Sequence, residues 1–227
     1  MILAIAAREL RGLFLSPLAW TLLAVTQALL AWVFIILVQD FQNMQGRLAG
    51  LLLVPLLTMR LLSDERRTGT LDLLLSAPVS ATGIVLGKYL GTLTMLLSLV
   101  GLVALMPLAL MIGAMLDPGK LLAGLLGLSL LAASCTAAGL YLSSLTAQPL
   151  AAATATLGLL LAFWIVDLAG ADRGMANHWF DYLSLRRHND ALLLGLVRSE
   201  DVAYYLLFSA TFLGLTIRRL DNLRLRG

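Results

Sequence analysis

The stretch "PLLTMRLLSDERRTGTLDLLLSAPVSATGIVLGKYLG", residues 55–91, joins two apolar runs through a compact charged element. That element, residues 63–80, gathers acids, bases, Gly69 and Pro78 inside an otherwise apolar chain. Long apolar runs separated by short polar segments are typical of helices that cross a membrane. The stretch therefore predicts an all-α polytopic membrane protein with a structured polar element between two spans.

The composition of the whole chain agrees with this class. Of its 227 residues, 60% are hydrophobic and only 13% are charged, with a mean hydropathy of +0.92. A soluble domain carries about 25% charged residues. The net charge of +3 fits basic residues that flank spans, and no basic block with interleaved aromatics predicts a nucleic-acid partner. Cys135 lies in an apolar run and is interpreted as a small buried residue.

Six spans are predicted within a single domain, 1–227. Most runs reach the roughly 17–25 residues that a tilted helix needs, and the second and sixth are marginal. Ahead of them, residues 2–15 form a predicted amphipathic helix that lies on membrane lipid at the interface, with Arg8 and Arg11 facing the head groups. The predicted spans are 18–38, 47–62, 84–116, 121–145, 150–168 and 202–217.

Basic residues predict the orientation. With the N-terminus inside, ten Lys and Arg residues are cytoplasmic and six are external, so both termini are expected in the cytoplasm of a bacterium, with the chain in its inner membrane. The cytoplasmic set is Arg8, Arg11, Arg60, Arg66, Arg67, Lys88, Arg218, Arg219, Arg224 and Arg226; the external set is Arg47, Lys120, Arg173, Arg186, Arg187 and Arg198.

The chemistry of an enzyme is missing from the sequence. "GIVLGKY", residues 83–89, departs from the phosphate-loop pattern in its glycine spacing and in the residue after the lysine. Lys88 is instead expected to extend to the cytoplasmic head groups. Asp167 is interpreted as an interfacial acid at the end of a span. We therefore expect a non-catalytic subunit without a bound cofactor.

Two further polar sets predict neither a metal site nor an energy source. His178 and His188 share the predicted external loop with Asp181 and Asp190, but without the spacing of a metal site, so none is predicted. The polar groups expected within the membrane are uncharged and offer the chain no energy source of its own: Thr21, Thr26, Gln27, Thr92, Thr94, Ser98 and Thr136.

The charged element suits either of two roles. Gly69 permits a turn, Thr70 can cap a helix that begins at Leu71, and Pro78 ends that helix. Leu71, Leu74 and Leu75 follow i, i+3, i+4 spacing and form one apolar face. That face could seat in a groove of a partner protein or rest on lipid. Ser80 can cap the next helix, where Gly83, Gly87 and Gly91 form a row that permits close helix packing.

The stretch 55–91 resembles the second span, coupling helix and third span of type-2 ABC transporter permeases, most closely the gliding-motility-type branch. Residues 180–216 resemble the C-terminal part of the same family, although Leu185 stands where proline is usual. The matching positions in the first stretch are Met59, Arg60, Glu65 to Arg67, Gly69 to Leu71, Leu74, Leu75, Pro78, Val79, Gly87 and Lys88.

The resemblance implies a complex of two permeases, identical or homologous, above two cytoplasmic ATPases that bind ATP and Mg. It implies that the coupling helix sits in an ATPase cleft, and that an extracytoplasmic accessory protein is a further candidate partner. The implied ATPase-coupling residues are Glu65, Arg66, Arg67, Gly69, Thr70, Leu71, Leu74, Leu75, Pro78 and Val79.

Short external helices, re-entrant in such permeases, are implied for residues 172–199. Their apolar surface would come from Trp179, Phe180, Tyr182, Leu183, Leu193, Leu194 and Val197, and their polar surface from Arg186, Arg187, His188 and Asp190.

Four functions stay open from the sequence. The first is the permease of an ABC exporter or of a mechanotransmitting complex. The second is a haem-exporter-like permease of cytochrome c maturation, whose coupling loop has a similar Gly-x-Leu…Leu-Leu-x-x-Pro form. The third is a membrane scaffold or intramembrane enzyme without an ATPase, and the fourth is a small-solute channel.

Overall fold

The computed structural model describes residues 4–8, 79–110, 117–171 and 182–225, and within these ranges it is helical without strands. Residues 4–8 form a helical segment inside the predicted interfacial helix 2–15. The predicted spans 18–38 and 47–62 lie outside the described residues. The labelled helices are α1 Ala81–Leu110, α2 Pro118–Leu145, α3 Pro149–Ala171, α4 Leu185–Leu193 and α5 Ser199–Arg224.

Three of the described helices are long and apolar enough to cross a membrane. They are Ala81–Leu102, Pro118–Leu145 and Pro149–Val166, with mean hydropathies of 1.6, 1.9 and 2.0. The apolar part of α5 is shorter, because Glu200 and Asp201 precede it and Arg218 and Arg219 follow it. The all-α, multi-pass membrane class is therefore confirmed, and the count of six spans stays a prediction.

Three of the helices, α1, α2 and α5, begin three residues earlier than predicted, and side-chain caps explain the starts of the first two. The Ser80 hydroxyl accepts a hydrogen bond from the Gly83 amide at 3.1 Å, which confirms the predicted cap of α1. Asp117 accepts from the Gly119 amide at 2.9 Å and caps α2, with Pro118 in the first turn. Proline suits that position because its missing N–H would have no partner inside the helix.

A three-residue connection, 146–148, joins α2 to α3. Thr146 Oγ1 accepts from the Gln148 amide at 3.1 Å, so the hydroxyl satisfies a backbone group within the turn. A link this short makes α2 and α3 antiparallel neighbours, and it lies between the predicted spans 121–145 and 150–168.

Helix α2 is the centre of the described bundle, because α1, α3, α4 and α5 all pack against it. The larger core cluster takes side chains from each of these helices. Its members are Met95, Leu96, Leu131, Ala132, Cys135, Ala138, Leu160, Trp164, Leu185, Leu192, Tyr204 and Tyr205. Cys135 is buried and free, as the sequence predicted.

The short helix α4 ends in a turn that requires glycine. Gly195 has φ of +86°, its amide donates to Leu192 O at 3.0 Å, and the Leu196 amide donates to Ala191 O at 3.0 Å. This is a Schellman motif, in which a left-handed residue satisfies the last carbonyls of a helix. A Cβ on Gly195 would also lie 3.0 Å from Cγ of Lys120. The turn therefore holds α4 close to the start of α2.

Helix α4 approaches α2 most closely at Gly127. A Cβ there would lie 2.9 Å from Cβ of Leu192, which is too close for either atom to keep its place. We expect Gly127→Ala to lower the free energy of unfolding by about 1–3 kcal/mol, as overpacked sites do. The measurement is thermal unfolding in detergent.

Gly158 is the matched control for this substitution. It lies in α3, and a Cβ there would meet nothing within 4 Å. We expect Gly158→Ala to leave the melting temperature unchanged or to raise it, since alanine favours helix over glycine by about 1 kcal/mol. Equal melting curves for the two variants would contradict the close contact between α4 and α2.

Candidate functional site

Nine of the ten predicted ATPase-coupling residues, from Glu65 to Pro78, lie outside the described residues. The tenth, Val79, is half-buried and lies two residues before the start of α1. Its carbonyl oxygen accepts a hydrogen bond from the Arg224 guanidinium at 3.2 Å, from the last turn of α5. The C-terminal end of the predicted coupling element is thus attached to the end of a helix that follows it by more than a hundred residues.

Apolar packing reinforces that attachment. We call the group Val79, Ala81, Ile84, Leu220 and Arg224 the α1–α5 joint. Ala81, Ile84 and Leu220 are buried in one cluster with Val85 and with Leu140 of α2, and Val79 packs against it. The start of α1 and the ends of α2 and α5 therefore form one packed unit.

The glycine row of α1 is buried at Gly83, Gly87 and Gly91. Its role in helix packing stays a prediction. The prediction for Lys88 is wrong, because its side chain is only 2% exposed. A lysine one residue from Gly87 on a crowded helix face has too little room to extend to head groups.

Four of the seven polar residues predicted within the membrane are described and bond within their own helix, whereas Thr21, Thr26 and Gln27 lie outside the described residues. Thr92 donates to Lys88 O at 3.0 Å, Thr136 donates to Ala132 O at 2.6 Å, and Thr94 and Ser98 likewise donate within α1. Hydroxyls that bond the preceding helical turn are occupied by their own backbone. These residues therefore serve the helices rather than a polar ligand.

One buried hydroxyl does connect two helices. Ser134 Oγ of α2 donates to the Tyr205 carbonyl of α5 at 3.1 Å and lies 3.1 Å from Ser209 Oγ. Ser209 Oγ also donates to the Tyr205 carbonyl, at 2.8 Å. A polar bridge of this kind fixes the register between two packed helices.

A compact polar group lies at the start of α5. We call Tyr182, His188, Asp201, Tyr204 and Tyr205 the His188 cluster. His188 Nδ1 lies 2.6 Å from Asp201 Oδ1, and His188 Nε2 lies 3.0 Å from the Tyr182 carbonyl oxygen. Both side chains are almost fully buried, at 10% and 7% exposed. The second carboxylate oxygen of Asp201 is buried without a hydrogen-bond partner among the described residues.

Two tyrosines of α5 complete this group. The Tyr204 hydroxyl donates to Leu183 O at 2.7 Å, and the Tyr205 hydroxyl donates to Leu185 O at 3.0 Å. The Tyr204 ring stacks on the His188 imidazole with centroids 4.2 Å apart and planes 20° apart. Tyr204 and Tyr205, in the second turn of α5, therefore hold the segment 182–188 through two backbone carbonyls.

These contacts correct the expected surface of this region. His188 was expected on the polar surface and is buried, whereas Leu194 and Val197 are 58% and 54% exposed and supply apolar surface as expected. His188 is paired with Asp201 instead of with the acids considered for a metal site. Within the described ranges, no group of three or more His, Cys, Asp or Glu side chains could hold a metal ion.

Sequence reasoning missed the His188–Asp201 pair and the Ser134 bridge. Both join residues far apart in the chain, and neither belongs to a spacing motif. The one local signal was an acid in the first turn of α5, where the helix dipole favours negative charge. Nothing in that signal identifies a histidine as its partner.

The sequence model of one protein family, described as "ABC-2 family transporter protein", matches residues 48–182. A search among curated proteins finds no match. The matched segment includes the predicted coupling element and all three span-length helices α1, α2 and α3. Because the match covers more than half of the chain, the protein belongs to the ABC-2 family of transporter proteins.

Proposed function

We propose that the chain couples ATP hydrolysis by a separate ATPase to substrate movement, or to a conformational change, across the membrane. As an ABC-2 family member it is a multi-pass permease subunit, and such a permease works with an ABC ATPase. The specific form proposed is an exporter or a mechanotransmitting complex of the gliding-motility-type branch. Export by such a complex requires a docking element that receives force, and helices that carry it.

The α1–α5 joint is the observation that supports this proposal best. The Val79 carbonyl is bonded to Arg224, and the buried side chains Ile84 and Leu220 pack beneath that bond. A displacement of the coupling element at Pro78 would therefore move α1, α2 and α5 together. A tightly packed interior transmits such a displacement, because it does not deform continuously.

The helix α5 is long enough to carry that movement across the membrane. Asp201 and Arg224 are separated by 23 residues of α5, or about 35 Å at the helical rise of about 1.5 Å per residue. This distance is comparable to the thickness of a bilayer. In the proposed orientation, with both termini in the bacterial cytoplasm and the coupling element beside them, the joint lies inside and the His188 cluster outside.

The proposed assembly contains two permeases, identical or homologous, and two ATPases, with an extracytoplasmic accessory protein as a further partner. Affinity purification of the tagged full-length chain from native membranes tests it. We expect an ABC ATPase and one or two kinds of permease in the purified complex, together with ATP hydrolysis. Recovery of the folded chain without any nucleotide-binding subunit would overturn the proposal and favour a scaffold.

A further inference from the structure

The hydrogen bonds of His188 define how many protons the His188–Asp201 pair holds. The Tyr182 carbonyl oxygen can only accept, so His188 Nε2, 3.0 Å away, donates to it and carries a hydrogen. An ionised Asp201 can also only accept, at 2.6 Å from Nδ1. The short contact therefore needs one more proton, located on Nδ1 or on Oδ1.

We propose that the His188–Asp201 pair is a proton-binding site, and that release of its proton detaches the Tyr182 carbonyl from His188. With the proton bound, the pair is neutral overall and both ring nitrogens face suitable partners. The proton belongs to the pair as a unit, since the two groups are in direct contact.

The surroundings of the pair favour the bound proton on the imidazole. The Tyr204 ring stacks on His188, and an imidazolium over an aromatic face is attracted by it. Asp201 lies in the first turn of α5, where the helix dipole stabilises a carboxylate. Its buried Oδ2 has no hydrogen-bond partner within the described residues, so His188 supplies the compensating charge.

Loss of the proton breaks the contact of Nε2 with the Tyr182 carbonyl and keeps the contact of Nδ1 with Asp201. A ring with a single hydrogen keeps it on Nδ1, because a bond to a carboxylate is stronger than a bond to a carbonyl. The lone pair of Nε2 then faces the Tyr182 carbonyl at 3.0 Å, and the two acceptors repel each other. The step moves one proton from the pair to water and breaks the bond to Tyr182.

Other ionisable groups around the pair do not replace His188 in this role. The phenol rings of Tyr182, Tyr204 and Tyr205 contact the imidazole or its stack, and the Tyr204 and Tyr205 hydroxyls donate to backbone carbonyls. Asp190 of α4 and Cys135 of α2 interact electrostatically with Tyr205. Lys120 of α2 approaches Gly195, and residues 149–166 of α3 contain no ionisable side chain.

A spin label at residue 183 tests the proposal in the full-length protein. Cys135 is the chain's one cysteine, so Leu183→Cys in a Cys135→Ala background takes a single label. We expect the mobile fraction of the label to rise several-fold as the pH is raised from acid to alkaline values and the pair releases its proton. A spectrum that does not change over this range would overturn the proposal.

Three variants separate the proton from mere packing. In Asp201→Asn the amide can donate to a neutral Nδ1 or accept from a charged one, so we expect low label mobility at every pH. In His188→Ala we expect high mobility at every pH. Glu200→Gln, an exposed acid in the same turn, is the matched control and should keep the wild-type pH dependence. The proposal fails if Asp201→Asn keeps that dependence or if Glu200→Gln loses it.

The ring nitrogens provide an independent measurement. The chain has two histidines, so His178→Gln leaves His188 as the one imidazole seen by nitrogen-15 solid-state NMR in lipid bilayers. We expect Nε2 to carry a hydrogen at acid pH and to lose it at alkaline pH, while Nδ1 retains its own. An Nε2 that stays protonated throughout would overturn the proposal even if the label at residue 183 changes.

Discussion

Leu74→Asp should abolish the coupling of this permease to its ATPase while the membrane part stays folded. The sequence predicts that Leu71, Leu74 and Leu75 form the apolar face of the coupling helix. A carboxylate buried in an ATPase cleft without a partner costs about 3 kcal/mol, which weakens binding about a hundredfold. The measurement is the amount of ATPase that co-purifies with the variant, together with ATP hydrolysis by the complex.

Leu73→Asp is the control for this experiment. It makes the same substitution one residue away. Because successive residues are rotated by about 100°, residue 73 lies about 200° around the predicted helix from Leu71 and faces away from the apolar face. We expect Leu73→Asp to retain the ATPase, and Glu65→Lys to weaken binding by removing a charged contact. If Leu74→Asp retains as much ATPase and hydrolysis as Leu73→Asp, the docking face is wrongly assigned.

Leu220→Asp should break the α1–α5 joint. Leu220 is 1% exposed and packs with Ala81, Ile84, Val85 and Leu140 at the point where three helices meet. An unpaired buried carboxylate there should lower the free energy of unfolding by about 3 kcal/mol, equivalent to roughly 6–12 °C in melting temperature for a chain of this size. Thermal unfolding followed by tryptophan fluorescence measures the loss.

Leu225→Asp makes the same change at the end of α5, where the side chain is 85% exposed. We expect its melting temperature to match the wild type, because a solvated carboxylate has no desolvation penalty. In the assembled complex, Leu220→Asp should also reduce ATP-driven transport more than Leu225→Asp does. Equal melting temperatures and equal transport in the two variants would show that the joint contributes neither to stability nor to coupling.

Among the described residues, the hydropathy pattern predicted the helices and most of their ends within a few residues, although α5 continues seven residues beyond the predicted end at 217. The apolar runs at 121–145 and 150–168 correspond to α2 and α3, and the Ser80 cap was visible from residue type alone. Helix α2 begins at Pro118 and not at the predicted residue 121. The segment 117–120, "DPGK", is typical of a turn, but Asp117 and Pro118 are equally good helix-start residues. Such signals are local, so a single sequence contains them.

The arrangement of the helices could not be predicted in the same way. A membrane helix is apolar on the lipid side and on the packed side alike, so its pattern does not identify which face is buried. Gly127 and Gly158 look equivalent in the sequence, yet one touches Leu192 and the other meets nothing. Burial of Lys88 and the pairing of His188 with Asp201 depend on contacts between distant segments, for which the chain has no local signal.

The connection 146–148 limits how the bundle can open. From Leu145 to Thr146, Ala147, Gln148 and Pro149 there are four Cα–Cα steps, which span at most about 15 Å when fully extended. The ends of α2 and α3 at this turn therefore cannot move far apart during transport. Any passage between these two helices has to widen at their far ends, with residues 146–148 as the hinge.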